Sequence, residues 1–162
     1  MADIYEPETE ADAAAMIADA AREGRALAIS GGNTRAGFGQ KVDGAAFTSK
    51  RLRGIVAYNP SEMTLTAHAG TPVAEIEAEL ADNGQMMAFE PADHRMMMGT
   101  EGVPTIGGLF ATNTSGPRRF VAGAARDSLL GIRFVNGGGE VIKSGGRVMK
   151  NVTGLDLVKL LA

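Results

Sequence analysis

The chain has 162 residues, 44% hydrophobic and 22% charged, with a net charge of −3; that is one globular domain's worth of chain, and not a disordered composition. It has no Cys, which excludes disulfides, thiol catalysis and a cysteine-held iron–sulfur cluster, and its acidic balance argues against nucleic-acid binding. No run approaches the roughly 18 apolar residues of a membrane span, and the N-terminus lacks a positive n-region, so neither membrane insertion nor a signal peptide is expected and the expected compartment is the cytoplasm.

Pro7 and Thr9 mark a helix start, and Gly24 its stop; Ala13, Met16, Ile17 and Ala20 form one apolar stripe. A short strand is expected over Leu27–Ile29, then a glycine-rich loop, Ser30-Gly31-Gly32-Asn33-Thr34-Arg35. Gly54–Tyr58 reads as a strand, Asn59-Pro60-Ser61 as a turn, and Met63–Ala69 as a half-buried strand. Pro72 opens a second helix to Asn83, with Gly84 after it and Val73, Ile76 and Leu80 on its apolar face. The Glu75, Glu77 and Glu79 series reads as its wet face. Gln85–Phe89 is expected to be a strand, residues 91–104 irregular, and Thr105–Thr112 a short helix. Asn136-Gly137-Gly138-Gly139 between two apolar runs predicts a β-hairpin, and Leu155–Leu160 is weakly helical. The order predicts a mixed α+β domain, not a repeating βαβ unit.

Glycine is 22 of 162 residues, about twice the usual share near 7%, and it clusters. Neither GxGxxG nor GxxxxGK[ST] occurs. Two other loops suit a phosphate. Consecutive N–H groups of Ser30–Arg35 can turn toward one anion as a nest, with Asn33, Thr34 and Arg35 adding side-chain donors or charge. Thr105-Ile106-Gly107-Gly108 opens a predicted helix, where free N–H groups favour an anion. A plain turn is the competing reading of each loop, and spacing does not say whether the two converge. The stretch 114–151 carries Arg118, Arg119, Arg126, Arg133, Lys143, Arg147 and Lys150 against Asp127 and Glu140, a local excess of five positives that is read as an anion attractor or as solvated surface charge. His68 reads as structural; His94, in Pro91–Arg95, is a candidate ligand contact weighed against an ordinary loop residue. Met96-Met97-Met98 reads as a packing patch. No metal-ligand spacing and no GxSxG are present, so no metal site is expected and no catalytic residue is assigned.

TIGGLFATN at 105–113, continuing through TSGPRRF and AARDS, with SGGNTR at 30–35, HAGTPVAEIEAEL at 68–80 and EPADH at 90–94, resembles the FAD-binding domain of the vanillyl-alcohol oxidase/PCMH family. Within it, the sequence is most similar to the FAD-binding subunits (the E type) of bacterial glycolate oxidases. The resemblance spans about Leu27 to Ala162 and is most specific at Ser115-Gly116-Pro117-Arg118-Arg119 and Arg126-Asp127.

The resemblance implies a two-lobed domain with FAD between a small N-terminal lobe, about residues 1–58, and a second lobe, about 59–162. Ser30, Gly31, Gly32, Asn33, Thr34 and Arg35 would bind the pyrophosphate. Thr105, Gly107 and Gly108 would complete the cradle, and Pro91 would lie near the flavin. Asn113, Ser115 and Gly116 would line the groove with Arg126 close by; here the competing readings are a tight turn and a surface ion pair. Relatives continue into a further FAD-contacting strand of GS-x-GTLG type, so a domain truncated at its C-terminal end and lacking the cap domain is expected. No His lies in 115–127, so noncovalent FAD is expected. The implied activity is hydride transfer from a small 2-hydroxy acid, with a second flavoprotein subunit and an iron–sulfur subunit as partners and possible docking at the inner membrane face through them. The isolated chain is expected to be inactive. Alternatives are the FAD domain of a D-lactate dehydrogenase-like enzyme, a non-catalytic assembly subunit, or a module for another phosphate ligand.

Overall fold

Helix α1 (Glu10–Arg22) begins where the expected caps stand: Thr9 Oγ1 accepts from the Asp12 N–H at 3.0 Å and the Asp12 carboxylate accepts from the Thr9 N–H at 2.9 Å. This reciprocal capping box satisfies two N–H groups that would otherwise lack partners. The computed structural model describes residues 4–146 and 155–162; Arg147 and Lys150 of the basic stretch lie outside the described residues.

Strands β1 (Ile4–Tyr5), β2 (Leu27–Ser30) and β3 (Ala45–Thr48) form a parallel sheet in the order β1-β3-β2, with Ser30 opposite Thr48. The glycine loop therefore leaves the end of β2 as part of a crossover back to β3. β4 (Ile55–Asn59) and β5 (Thr64–Ala67) form an antiparallel pair joined by a 3-10 turn at Pro60–Glu62. Helix α2 (Val73–Asp82) follows, then short helices α3 (Arg95–Met98), α4 (Ile106–Ala111), α5 (Arg119–Ala122) and α6 (Ala125–Ser128). The hairpin β6 (Gly131–Val135) and β7 (Val141–Gly145) and helix α7 (Leu157–Leu160) complete the described residues. None of the described helices is long and apolar enough to cross a membrane.

The hairpin forms as its turn residues require. Asn136 Oδ1 accepts from the N–H groups of Gly138 and Glu140 at 2.9 and 3.0 Å. Gly139 sits at φ +83°, and a Cβ there would meet Ala18 of α1 at 2.6 Å, so glycine answers both the left-handed backbone and the close packing. The same hairpin reaches α1 through Arg133, whose Nε donates to Glu10 at 2.8 Å. The basic stretch and the acidic N-terminus thus meet. Arg133 chiefly, through its hydrogen bond, holds the Glu10 carboxyl below its ordinary value.

Several expectations are corrected. Gln85–Phe89 is not a strand: its polar groups are engaged elsewhere. The Gln85 side chain bridges Tyr58 and the Pro60 carbonyl at 2.8 and 2.7 Å, its N–H caps α2 on the Leu80 carbonyl, and Glu90 N–H turns back to Met87. β1, β3, α3, α5 and α6 were not expected from the sequence; β1 has only two residues and the three helices four each, too few to show a period. The methionine run is not a packing patch as a whole: Met96 and Met97 are exposed and Met98 alone packs inward, against Gly37.

The core joins α2, the 87–89 segment, α4 and α6 through Val73, Phe89, Leu109 and Ala125, with Met87, Ile106 and Phe110 around them. Phe89 and Phe110 stack tilted, 6.1 Å between ring centres. Leu109 is fully buried. Leu109→Ala is expected to destabilise the fold by about 2–5 kcal/mol through lost burial and a residual cavity, read as a lower urea midpoint with an unchanged slope.

Candidate functional site

The glycine loop and the 91–105 segment lie against each other in antiparallel sense. A Cβ at Gly31 would fall 2.3 Å from Thr105 Oγ1, and one at Gly32 only 1.5 Å from the Val103 carbonyl oxygen. In return, a Cβ at Gly102 would fall 1.8 Å from the Gly32 carbonyl oxygen. Further along, Thr100 Oγ1 donates to the Thr34 carbonyl at 3.2 Å, and a Cβ at Gly37 would meet Met98 at 2.6 Å. Arg35 Nη2 donates to the Ala92 carbonyl at 3.0 Å, and the Phe38 ring sits edge-on to His94, 5.2 Å between centres. The two glycine-bearing loops do converge, which spacing did not disclose.

Within the loop, Asn33 takes the left-handed conformation at φ +57°. The backbone N–H groups of Gly31, Gly32, Asn33, Thr34 and Arg35 donate to no acceptor among the described residues. Consecutive unpartnered N–H groups around a left-handed residue are the geometry of an anion nest. The loop is anchored from below by Thr48, whose Oγ1 donates to the Gly31 carbonyl at 3.2 Å. Thr34 and Arg35 are buried. Burial pushes the Arg35 guanidinium below its ordinary value, and nearby Asp93 partly opposes this. Asp93 itself faces Arg95, which donates to it at 2.7 to 3.1 Å and holds its carboxyl down at about 2.

The start of α4 differs from expectation. Its N–H groups are not free: Ile106 donates to the Thr71 carbonyl and Gly107 to the Ala69 carbonyl, at 2.9 and 2.8 Å, and Gly108 to Thr105 Oγ1 at 3.4 Å. Gly107 packs on the Ala69 backbone, where a Cβ would fall 2.8 Å from the carbonyl oxygen. Thr105, Gly107 and Gly108 are thus the packed wall beside the nest, and the open donors belong to residues 31–35.

The remaining predicted residues gather past the other end of α4. Asn113 Oδ1 accepts from Arg126 N–H at 3.1 Å and Ser115 Oγ from Ala125 N–H at 2.8 Å. These side chains cap the start of α6, while Asp127 accepts from Ala124 N–H at 2.8 Å. Gly116 N–H donates to the Phe89 carbonyl at 2.9 Å, and a Cβ at Gly116 would fall 2.2 Å from the Glu90 carbonyl oxygen. Glu90, just before Pro91, is held at φ +45°, a costly conformation for a non-glycine residue. The segment from Phe89 to Thr105 therefore touches both groups: the nest through Ala92–Thr105, and 113–116 through Phe89 and Glu90. Three participants escaped the sequence reading. Val103 contributes only a carbonyl, Thr48 lies in a segment given no element from the sequence, and Thr71, fully buried with its hydroxyl on the His68 and Gly54 carbonyls at 2.7 and 3.1 Å, reads as a helix-preceding residue.

The FAD binding domain family matches residues 2–145. The chain is similar to glycolate oxidase subunit GlcE of Escherichia coli (strain K12), 43% identical over 135 residues, which is 83% of this chain and 37% of that one. It is similar to glycolate oxidase subunit GlcD of Bacillus subtilis (strain 168), 28% identical over 131 residues, 81% of this chain and 26% of that one. A solved structure of alkyldihydroxyacetonephosphate synthase has the same fold, with a TM-score of 0.72 at 18% identity over 98% of this chain and 28% of that one. The chain spans about a third of the length of the curated relatives, or less.

Gly32→Ala is expected to destabilise the fold by about 1–3 kcal/mol, because the Val103 backbone has to move. Gly39→Ala, where nothing lies within 4 Å of a Cβ, is expected to change stability by less than about 0.5 kcal/mol. Parallel urea titrations check the pair.

Proposed function

The chain belongs to the FAD binding domain family, and from that premise we propose that it holds noncovalent FAD as the flavin-binding part of an oxidoreductase of the glycolate oxidase type. The observation that carries the reading is the run of unpartnered N–H groups from Gly31 to Arg35, set beside the wall at Thr105. A pyrophosphate matches such a row: it offers anionic oxygens to several backbone donors, and charge-assisted bonds of this kind are worth about 1.5–3 kcal/mol each.

In this reading Ser30, Gly31, Gly32, Asn33, Thr34 and Arg35 bind the pyrophosphate, Arg35 adding the positive charge. Gly31 and Gly32 keep the loop pressed onto residues 102–105, so the donors keep a fixed spacing. Thr105, Gly107 and Gly108 form the adjoining wall. Pro91, held by the turn at Glu90, flanks the flavin. Asn113 and Ser115 line the groove by fixing the 113–116 turn against α6, with Gly116 and Arg126 beside them. The small lobe, about 1–58, then supplies the nest, and the second, about 59–162, the wall and groove.

When bound, FAD supplies the hydride acceptor, and the protein orients it and sets the field around it. The substrate class is a small 2-hydroxy acid, after the glycolate oxidase names of the relatives. Those relatives are named as subunits, which supports a multi-subunit assembly; the partners in this reading are a second flavoprotein subunit and an iron–sulfur subunit. The 162 residues contain no Cys, so a cysteine-held cluster accepting electrons lies outside these residues. A cytoplasmic position, peripheral to the inner membrane through those partners, goes with such an assembly. Proton removal from the hydroxyl and capture of the carboxylate need a base and a cation, which the assembly completes.

Purified protein mixed with FAD and desalted is expected to retain the flavin absorption bands, and to leave glycolate unoxidised with a dye acceptor when assayed alone. Loss of all flavin on desalting contradicts the binding reading. Turnover by the pure chain contradicts the dependence on partners.

A further inference from the structure

Two side-chain nitrogens at the junction of residues 35–38 and 92–95 are buried and have no hydrogen-bond partner among the described residues: Arg35 Nε and His94 Nδ1. Arg35 is only 9% exposed, and its Nη2 already donates to the Ala92 carbonyl. His94 is held by the edge-on Phe38 ring, and Phe38 N–H donates to the Arg35 carbonyl at 3.0 Å. Both side chains are thereby fixed to the same short contact. The nearby carboxylate is turned away: Asp93 is engaged in a fork with Arg95.

We propose that Arg35 Nε and His94 Nδ1 form a two-donor clamp for one anionic oxygen group, a phosphate or a carboxylate, adjoining the nest. A guanidinium does not lose its proton in a protein, and a buried cation with an unmade hydrogen bond is costly. A neutral acceptor such as water answers the hydrogen bonds but leaves a buried charge that Asp93 offsets only in part. An oxyanion answers both, and the Nδ1–H form of His94 adds the second donor. The clamp rests on the flavin reading only for the identity of its ligand. The oxygen comes from the pyrophosphate of FAD or from the carboxylate of a 2-hydroxy acid.

The test uses wild type, Arg35→Lys, His94→Ala, His94→Gln (which restores an N–H donor) and Met96→Ala as an exposed control. Binding of FAD and inorganic pyrophosphate to the free protein, and of glycolate to free and FAD-loaded protein, is followed by fluorescence quenching and thermal shift, with far-UV circular dichroism as the check on folding. If the cofactor supplies the oxygen, FAD and pyrophosphate affinity fall about tenfold or more in Arg35→Lys and His94→Ala, with partial recovery in His94→Gln and no change in Met96→Ala. If the substrate supplies it, the same pattern appears for glycolate and not for pyrophosphate. All affinities within about twofold of wild type in folded His94→Ala overturn the clamp, while FAD binding by wild type leaves the flavin reading standing. If wild type binds no FAD, the flavin reading fails, and the clamp stands or falls on whether pyrophosphate or glycolate binding is lost in the two variants.

Discussion

The Val103 carbonyl oxygen occupies the space in which a side chain at Gly32 would sit, and much of the site follows from that one backbone contact. It presses the loop after β2 onto a segment distant in sequence. So pressed, the loop cannot use its N–H groups to extend the sheet, because β3 has already turned away at Ser49, whose N–H closes the ladder on the Ser30 carbonyl at 2.9 Å. Nor does it pair with the opposing strand of chain, where carbonyls and glycines meet with no ladder. The five backbone donors from Gly31 to Arg35 are left without an acceptor among the described residues, and the last of them belongs to a buried arginine. Backbone donors of this kind are normally satisfied, and an anion is the common acceptor proposed for them here.

The same contact explains why the segment from Phe89 to Thr105 matters more than its irregular backbone suggests. At one end Phe89 is rooted in the core with Leu109 and Val73. Glu90 is strained at φ +45° and lies under Gly116. At the other end Val103, Pro104 and Thr105 lie on the nest and on α2, with Val73 N–H donating to the Pro104 carbonyl at 2.9 Å. Core packing, the turn at 113–116 and the nest are therefore mechanically joined through one stretch of loop. A ligand spanning nest and groove bridges elements that otherwise meet mainly through that stretch, and binding is expected to stabilise the whole fold by mass action.

Much of this was legible in the sequence where local chemistry decides structure. Pro7, Thr9 and Gly24 announced α1, Pro72 and Gly84 bracketed α2, and Asn136–Gly139 made the hairpin, because caps and turns are built from neighbours in sequence. The loop at 30–35 stood out because adjacent glycines let consecutive N–H groups turn one way, although a plain turn competed with that reading. What could not be read depends on contacts between distant residues. Gln85–Phe89 has the composition of a strand, but its hydrogen-bonding groups are taken by Tyr58, Pro60 and Leu80. The donors at Ile106–Gly108 seemed open because a helix start leaves them so, yet Ala69, Thr71 and Thr105 accept from them. Val103 took part through a carbonyl that any residue carries, so no residue type could flag it. Asn113 and Ser115 were singled out by the resemblance to a known family alone, since spacing gave no reason to choose them. The structure adds what these side chains do here: they cap α6.

The most direct measurement is a backbone amide NMR titration of the isotope-labelled protein with FAD. The account expects the amide signals of Gly31, Gly32, Asn33, Thr34 and Arg35 to shift furthest downfield as a contiguous block, with those of Ile106, Gly107 and Gly108 moving much less because their N–H groups already have acceptors. The opposite pattern, with 106–108 shifting strongly and 31–35 silent, would contradict it.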